Sequence, residues 1–172
     1  MDGVEFIFTD NSGAAVTELE SKLGAMLEEI GLKTVSYAKA NITAAGRVDT
    51  GQYRNSITHR VRIDEKTVYI GSNLEHAIYN ELGTGKFASN GSGRPGWWVY
   101  VAGQDAASRA AHRSATRKIY TFEQAKRIVA MLRAKGLDAH MTQGMKPIHA
   151  LQKAASEHND KFKDIIKDKM KT

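Results

Sequence analysis

One pattern constrains this chain more than any other. Ile57, His59, Val61 and Ile63 take every second position, Asp64-Glu65-Lys66 makes a polar break, and residues 67–70 resume a β-branched and aromatic run. A period of two sends alternate side chains to opposite faces of a strand, so the pattern predicts an antiparallel hairpin with one face against a core. Asp49-Thr50-Gly51 precedes it with turn chemistry: a carboxylate able to bond nearby amides and a glycine free to take positive φ. Residues 75–82 follow with about two helical turns, and Gly83 stops them. Residues 48–85 thus hold a turn, a hairpin, a short helix and a glycine stop, with no set of groups that could run a reaction.

The flanks read as helices and short strands. Val4, Phe6 and Phe8 alternate, which predicts a first strand over residues 4–8, and Asp10, Asn11 or Ser12 can cap the helix after it. Val16, Leu19, Leu23, Met26, Leu27 and Ile30 recur at steps of three and four, and Val35, Ala38 and Ile42 carry the stripe past Gly31 to a stop at Gly46. Beyond the hairpin, residues 87–95 are rich in Ser, Gly and Asn and read as a flexible loop. Residues 97–101 read as a strand, 104–118 as helical or loose, and 137–141 as an edge strand. Thr121 caps a helix that runs to Lys135 and stops at Gly136, and residues 147–170 form a last amphipathic helix. The fold class is α+β, in one domain over residues 1–172. A small, mainly antiparallel sheet (4–8, 57–63, 67–70 and 97–101) is expected to pack against the long N-terminal helix and the C-terminal helix.

Composition excludes more than it selects. A chain of 172 residues, 41% hydrophobic and 26% charged, can bury a sizeable core, and with no Cys it has neither a disulfide nor a thiolate metal site. No apolar run reaches the roughly 18 residues of a membrane span, and an acidic start before residues 4–8 does not read as a secretory signal. The six histidines include no i, i+4 pair, so no metal site is expected. Gly83-Thr84-Gly85-Lys86 fails as a phosphate loop, because Asn80 and Phe87 stand where the first Gly and the Ser or Thr belong. Asp49, Glu75 and Glu81 lack a nucleophile or an oxyanion donor beside them, so no catalytic residue and no cofactor is expected.

Charge is unevenly spread. Residues 86–135 hold ten Lys and Arg against Asp105 and Glu123, a local +8 in a chain of net +6. Arg109, Arg113, Arg117 and Lys118 fall at steps that put the first three on one helical face, able to meet phosphates without selecting bases. The alternative is a basic face turned to solvent or to another subunit.

The order of these pieces resembles a known family. Val48-Asp49-Thr50-Gly51, Arg54-Asn55-Ser56-Ile57, the hairpin ending in Ile70-Gly71-Ser72-Asn73, and then Ala77, Tyr79, Glu81, Gly83, Thr84 and Gly85 look like the tail-component or neck proteins of tailed bacteriophages. A Gly144-Met145-Lys146-Pro147 element opening the C-terminal helix extends the likeness to about two thirds of the chain, although the family's usual aromatic and second proline are absent from Pro147-Ile148-His149-Ala150-Leu151. Against the simpler family plan, residues 88–143 read as an insertion of basic loop, strand and helix.

The resemblance implies a structural virion or prophage subunit that forms a homo-oligomeric ring at the head–tail junction. Its partners would be its own copies, the neighbouring junction and tail proteins, and packaged DNA through non-specific phosphate contacts, with no membrane. It would assemble in the host cytoplasm. Ala77, Tyr79, Glu81, Gly83, Thr84 and Gly85 are then candidates for a subunit contact, Tyr79 alternatively packing into its own core. A sequence-independent nucleic-acid-binding protein acting outside a virion is the other reading.

Overall fold

A computed structural model describes residues 10–91 and 93–171, so the strand expected at 4–8 lies outside the described residues. The elements run α1 (Ser12–Ala44), α2 (Gln52–Ser56), β1 (Thr58–Arg62), β2 (Thr67–Gly71), α3 (Ala77–Leu82), β3 (Trp98–Ala102), α4 (Ala106–Thr116), α5 (Phe122–Ala134), β4 (Asp138–Thr142), α6 (Ala150–Ser156) and α7 (Asn159–Lys169). They gather into two compact units, one of residues 1–73 with 150–172 and the other of Leu74–His149.

In the first unit α1 is the spine. The Asp10 carboxylate accepts the Ser12 amide at 2.9 Å, while Asn11, at the cap position, makes no side-chain cap bond. At the far end Gly46 takes φ 65, and the amides of Gly46 and Arg47 return to the carbonyls of Thr43 and Ile42. The buried stripe is Leu27, Gly31, Thr34, Ala38 and Ile42. Gly31 belongs to it because a Cβ there would overlap the His59 ring and stand 3.0 Å from Val68. A residue that weakens an isolated helix by about 1 kcal/mol is here the gap through which the hairpin reaches α1.

That hairpin pairs Thr58 with Gly71 through Arg62 with Thr67, and Lys66 turns it at φ 51. Its inner residues His59, Val61, Val68 and Ile70 are half-buried, whereas Thr58, Arg60, Arg62 and Tyr69 are exposed. Glu65 holds the tip, accepting from Arg62 at 2.8 Å and from the Tyr69 hydroxyl at 2.6 Å. Those bonds, the Tyr69 one first, keep the Glu65 carboxyl below its ordinary range. The preceding turn takes its bond from Thr50, whose hydroxyl accepts the Gln52 amide at 3.3 Å; Asp49, expected to bond amides itself, is exposed and its side chain makes no hydrogen bond among the described residues. Gly51 takes the expected positive φ, 78.

The expected single helix over 147–170 is two. His149 adopts φ 54, which keeps the chain non-helical after Pro147, and His158 leaves helical geometry at φ −119. There its ring stacks on Tyr37 of α1, centroids 3.5 Å apart. A tertiary contact therefore decides the break. From Asn41, whose amide donates to the Ala150 carbonyl at 3.2 Å, to Glu29, paired with Lys169 at 3.4 Å, α6 and α7 run back along α1.

The second unit has its own core of Val99, Val101, Ala115, Ala125, Val129 and Ala139. Strand β3 pairs antiparallel with β4, Val99 opposite Met141 and Val101 opposite Ala139, so the strands of the described residues form two two-stranded sheets where one was expected. Strand β3 thus spends its pairing on residues 138–142 and not on the hairpin. Segment 104–118, read as helical or loose, is helix α4: the Asp105 carboxylate caps it by accepting the Ser108 amide at 2.9 Å, and Ser108 and Ala115 are buried. Helix α5 starts at the expected Thr121 with a capping box, the Thr121 hydroxyl accepting from the Gln124 amide at 3.3 Å and Gln124 Oε1 from the Thr121 amide at 3.0 Å. On the outer edge of β3, His112 Nδ1 lies 3.0 Å from the Val101 carbonyl and covers it.

Candidate functional site

The six residues expected at a subunit contact are all in the second unit, where the fold divides them by exposure. Helix α3 is short, and its terminal carbonyls are claimed from outside it: Ile148 donates to Asn80 at 2.9 Å, His149 to Glu81 at 3.3 Å, and Ser89 to Leu82 at 2.8 Å. The chain after it is stitched to the Gly144 element. Thr84 donates to the Met145 carbonyl at 2.8 Å and its hydroxyl accepts the Met145 amide at 2.9 Å, while Lys86 donates to Gln143 at 2.8 Å. Two motifs about sixty residues apart in sequence therefore form one piece of structure.

Glycine is required along this seam. At Gly83, with φ 75, a Cβ would come within 2.7 to 2.8 Å of Phe87 O, Met145 O and Pro147 Cδ. At Gly85, with φ 60, it would run into the Trp98 ring and the Gln143 carbonyl. Gly83 and Gly85 are buried, Ala77, Glu81 and Thr84 half-buried, and Tyr79 is 55% exposed beside Ile78, also 55%. Tyr79 does not enter a core as the alternative expectation had it. It stands at the mouth of a cavity of about 230 Å³ that Leu82, Thr84, Gly93 and Arg94 also line.

The basic residues occupy a different part of the same unit. Arg109 and Arg113 share a face of α4, Arg117 is its C-cap, and Lys118 lies beyond the helix. All four are exposed, and none has an ion pair or hydrogen bond among the described residues. Arg109 and Arg113 line a groove of about 420 Å³ with Tyr100, Gln104 and His112. Arg94 behaves differently: it donates to the Thr116 carbonyl at 2.5 Å and lies 5.6 Å over the Trp98 ring, so it fastens the loop before β3 to the end of α4. No residue pattern in the loop signalled that bond.

Among the described residues no group of three or more His, Asp or Glu could hold a metal ion, and no helix is long and apolar enough to cross a membrane. What the geometry offers is an exposed tyrosine on a locked frame and a row of unpaired cations.

Comparison with known proteins bears on the first 83 residues. Residues 8–83 match the model of the HK97-gp10-like family, described as "Bacteriophage HK97-gp10, putative tail-component". The matched span takes in α1, the turn, the hairpin and α3, and stops at Gly83. No curated protein and no solved structure matches the chain.

Proposed function

From the premise that residues 8–83 are those of a bacteriophage tail-component family, we propose that this protein is a structural subunit of the virion at the head–tail junction. Copies of it form a ring there, and DNA passes through the centre. The family match carries the reading. Identical head-to-tail contacts close into a ring when the rotation permits. The exposed Ile78 and Tyr79 supply an apolar, aromatic element of the kind that interfaces favour, and Arg109 and Arg113, exposed on α4, supply a lining suited to phosphates. The protein joins its own copies and other tail proteins in the host cytoplasm before it resides in the virion.

Electron microscopy of particles made without this chain tests the reading: filled heads and separate tails are expected. Normal, infectious particles would refute it. Within the ring, Tyr79→Ala should lower assembly while circular dichroism of the subunit stays unchanged.

The unpaired cations of α4 favour a second reading, a freestanding binder of any nucleic acid. Such a protein, as purified subunit, loses DNA affinity steeply with salt, whereas an assembly part that meets DNA only inside a ring does not bind it as a subunit.

A further inference from the structure

The apolar stripe of α1 outruns the core it serves. Leu27 is buried and Leu23 half-buried, but two turns earlier Val16 and Leu19 are 54% and 53% exposed. Ten consecutive positions of α1, residues 12–21, are exposed, so this part of the helix keeps an amphipathic pattern that no described residue covers. Its charge is one-sided. Residues 1–21 contain Asp2, Glu5, Asp10, Glu18 and Glu20 and no Lys or Arg. Glu18 is paired with Lys22 at 2.8 Å, while Glu20 has no partner among the described residues.

The opposite surface exists in the second unit. On the connector between α4 and α5, Ile119 is 50% exposed and Phe122 45%. Trp97 joins them: its ring meets Phe122 edge-on at 5.2 Å, and Ile119 packs over the neighbouring Gly96. Arg117 and Lys118 directly precede Ile119, and Lys126 lies one turn beyond Phe122 on the same helical face; all three are exposed and their side chains have no partner among the described residues. The patch is rigid before anything docks. Tyr120 exchanges two backbone hydrogen bonds with Trp97, at 2.7 and 3.0 Å, and the capping box fixes Thr121. A preformed surface loses little freedom on association.

We propose that the first turns of α1 in one copy dock on the α4–α5 connector of a second copy, with Val16 and Leu19 against Ile119 and Phe122 and the acidic residues against Arg117, Lys118 and Lys126. The two surfaces match in kind, an apolar centre flanked mainly by acidic residues on one and mainly by basic residues, with Glu123 among them, on the other, and an apolar centre with a polar rim is the usual anatomy of an interface. Because they differ from one another, the contact can run head to tail from copy to copy, as a ring requires. This rests on the reading of the chain as an assembly subunit and says which surfaces meet.

The natural absence of Cys makes the test clean. Chains carrying Val16→Cys or Leu19→Cys are mixed with chains carrying Ile119→Cys or Phe122→Cys and oxidised with copper–phenanthroline, since a disulfide forms only where Cα atoms come within about 7 Å. At least one of the four mixtures should give a covalent pair at twice the 18.9 kDa chain mass, and each variant alone should not. Glu18→Lys with Glu20→Lys should weaken association about tenfold, and Arg117→Glu with Lys118→Glu in the same chain should restore it, because like charges facing each other repel and the swap recreates attraction. A closed ring with no cross-link in any mixture and no rescue would remove this contact and leave the ring standing. A subunit that never associates ends both readings. A Leu19→Cys/Ile119→Cys chain that closes only on itself would show the contact to lie within one molecule, and would overturn the proposal.

Discussion

The two units of this protein are built alike inside and unlike outside. Each buries a small aliphatic core under helices, Leu27, Ala38, Ile42 and Ile57 in the first, Val99, Val101, Val129 and Ala139 in the second. Their charges diverge. In residues 1–73 and 150–172, fourteen Lys and Arg face fourteen Asp and Glu, and Lys22, Arg62, Lys163 and Lys169 make ion pairs there. In residues 74–149, eleven face five, so the whole net +6 of the chain resides in that unit. Surface charges contribute little to holding a fold, so neither balance is set by the packing of its unit. The first unit is neutral in sum; the second carries the excess, with Arg109, Arg113, Arg117 and Lys118 exposed.

The largest expected effects ask whether the units stand separately. Gly85→Val puts a branched side chain into the Trp98 ring at a φ of 60, and should destabilise the second unit by about 4 kcal/mol. Ile42→Ala, at a fully buried position of α1, should cost the first unit about 3 kcal/mol. Amide hydrogen exchange reads both: each change should speed exchange in its own unit and spare the other. Equal losses in both would mean that residues 1–172 unfold as one cooperative body, as a single domain does.

A smaller effect separates charge from fold. Replacing Arg109 and Arg113 by Gln should move stability by no more than about 0.5 kcal/mol, since both are exposed. Any DNA affinity of the assembled protein should fall alike for all sequences, its salt slope flattening by about 0.9 for each phosphate contact removed. Unfolding of the second unit, or a slope that does not change, would mean that these side chains act in packing or not at all.

The smallest effect is in the acid limb. Glu65 in the first unit is held down by the Tyr69 hydroxyl and then Arg62, and Asp105 in the second by Ser108 at the start of α4. A carboxyl depressed in the folded state adds stability that is complete above its unfolded value, the ordinary 4.5 for Glu and 3.8 for Asp, and is lost as pH falls through the folded value. Glu65→Gln and Asp105→Asn should therefore flatten the loss of stability below those values, each in its own unit. Titration of both carboxyls by NMR checks the direction; an apparent pKa above the ordinary one would contradict the bonds described.

What was legible in the sequence was local. A period of two gave the hairpin to within a residue, and Gly46, Thr121 and Gly136 marked helix ends that depend on nearby backbone alone. The break at His158 was not legible, because it depends on Tyr37 in another helix. Nor was the pairing of β3 with β4, whose strands are some forty residues apart. Segment 106–116 has few large apolar residues to set a period, so its helix shows only in the Asp105 cap and in Ala111 and Ala115 facing the core. In the candidate site, sequence order brought Tyr79, Gly83, Thr84 and Gly85 together but not their division into an exposed ring and a buried seam. That division is made by residues 143–149, which the chain supplies only after the whole β3–α4–α5–β4 excursion.

The chain leaves the first unit at Asn73 and returns to it at Ala150, and this sets an order in time. During synthesis, from the amino end at about 5 to 20 residues per second, the spine and the hairpin emerge with one side of the spine still bare. The second unit becomes whole once His149 has left the ribosome, while the first still lacks the helices that cover α1. Unit two is therefore finished earlier than unit one. A nascent chain that has emerged from the ribosome as far as residue 150 would already carry the cationic module complete, tethered to a half-built spine.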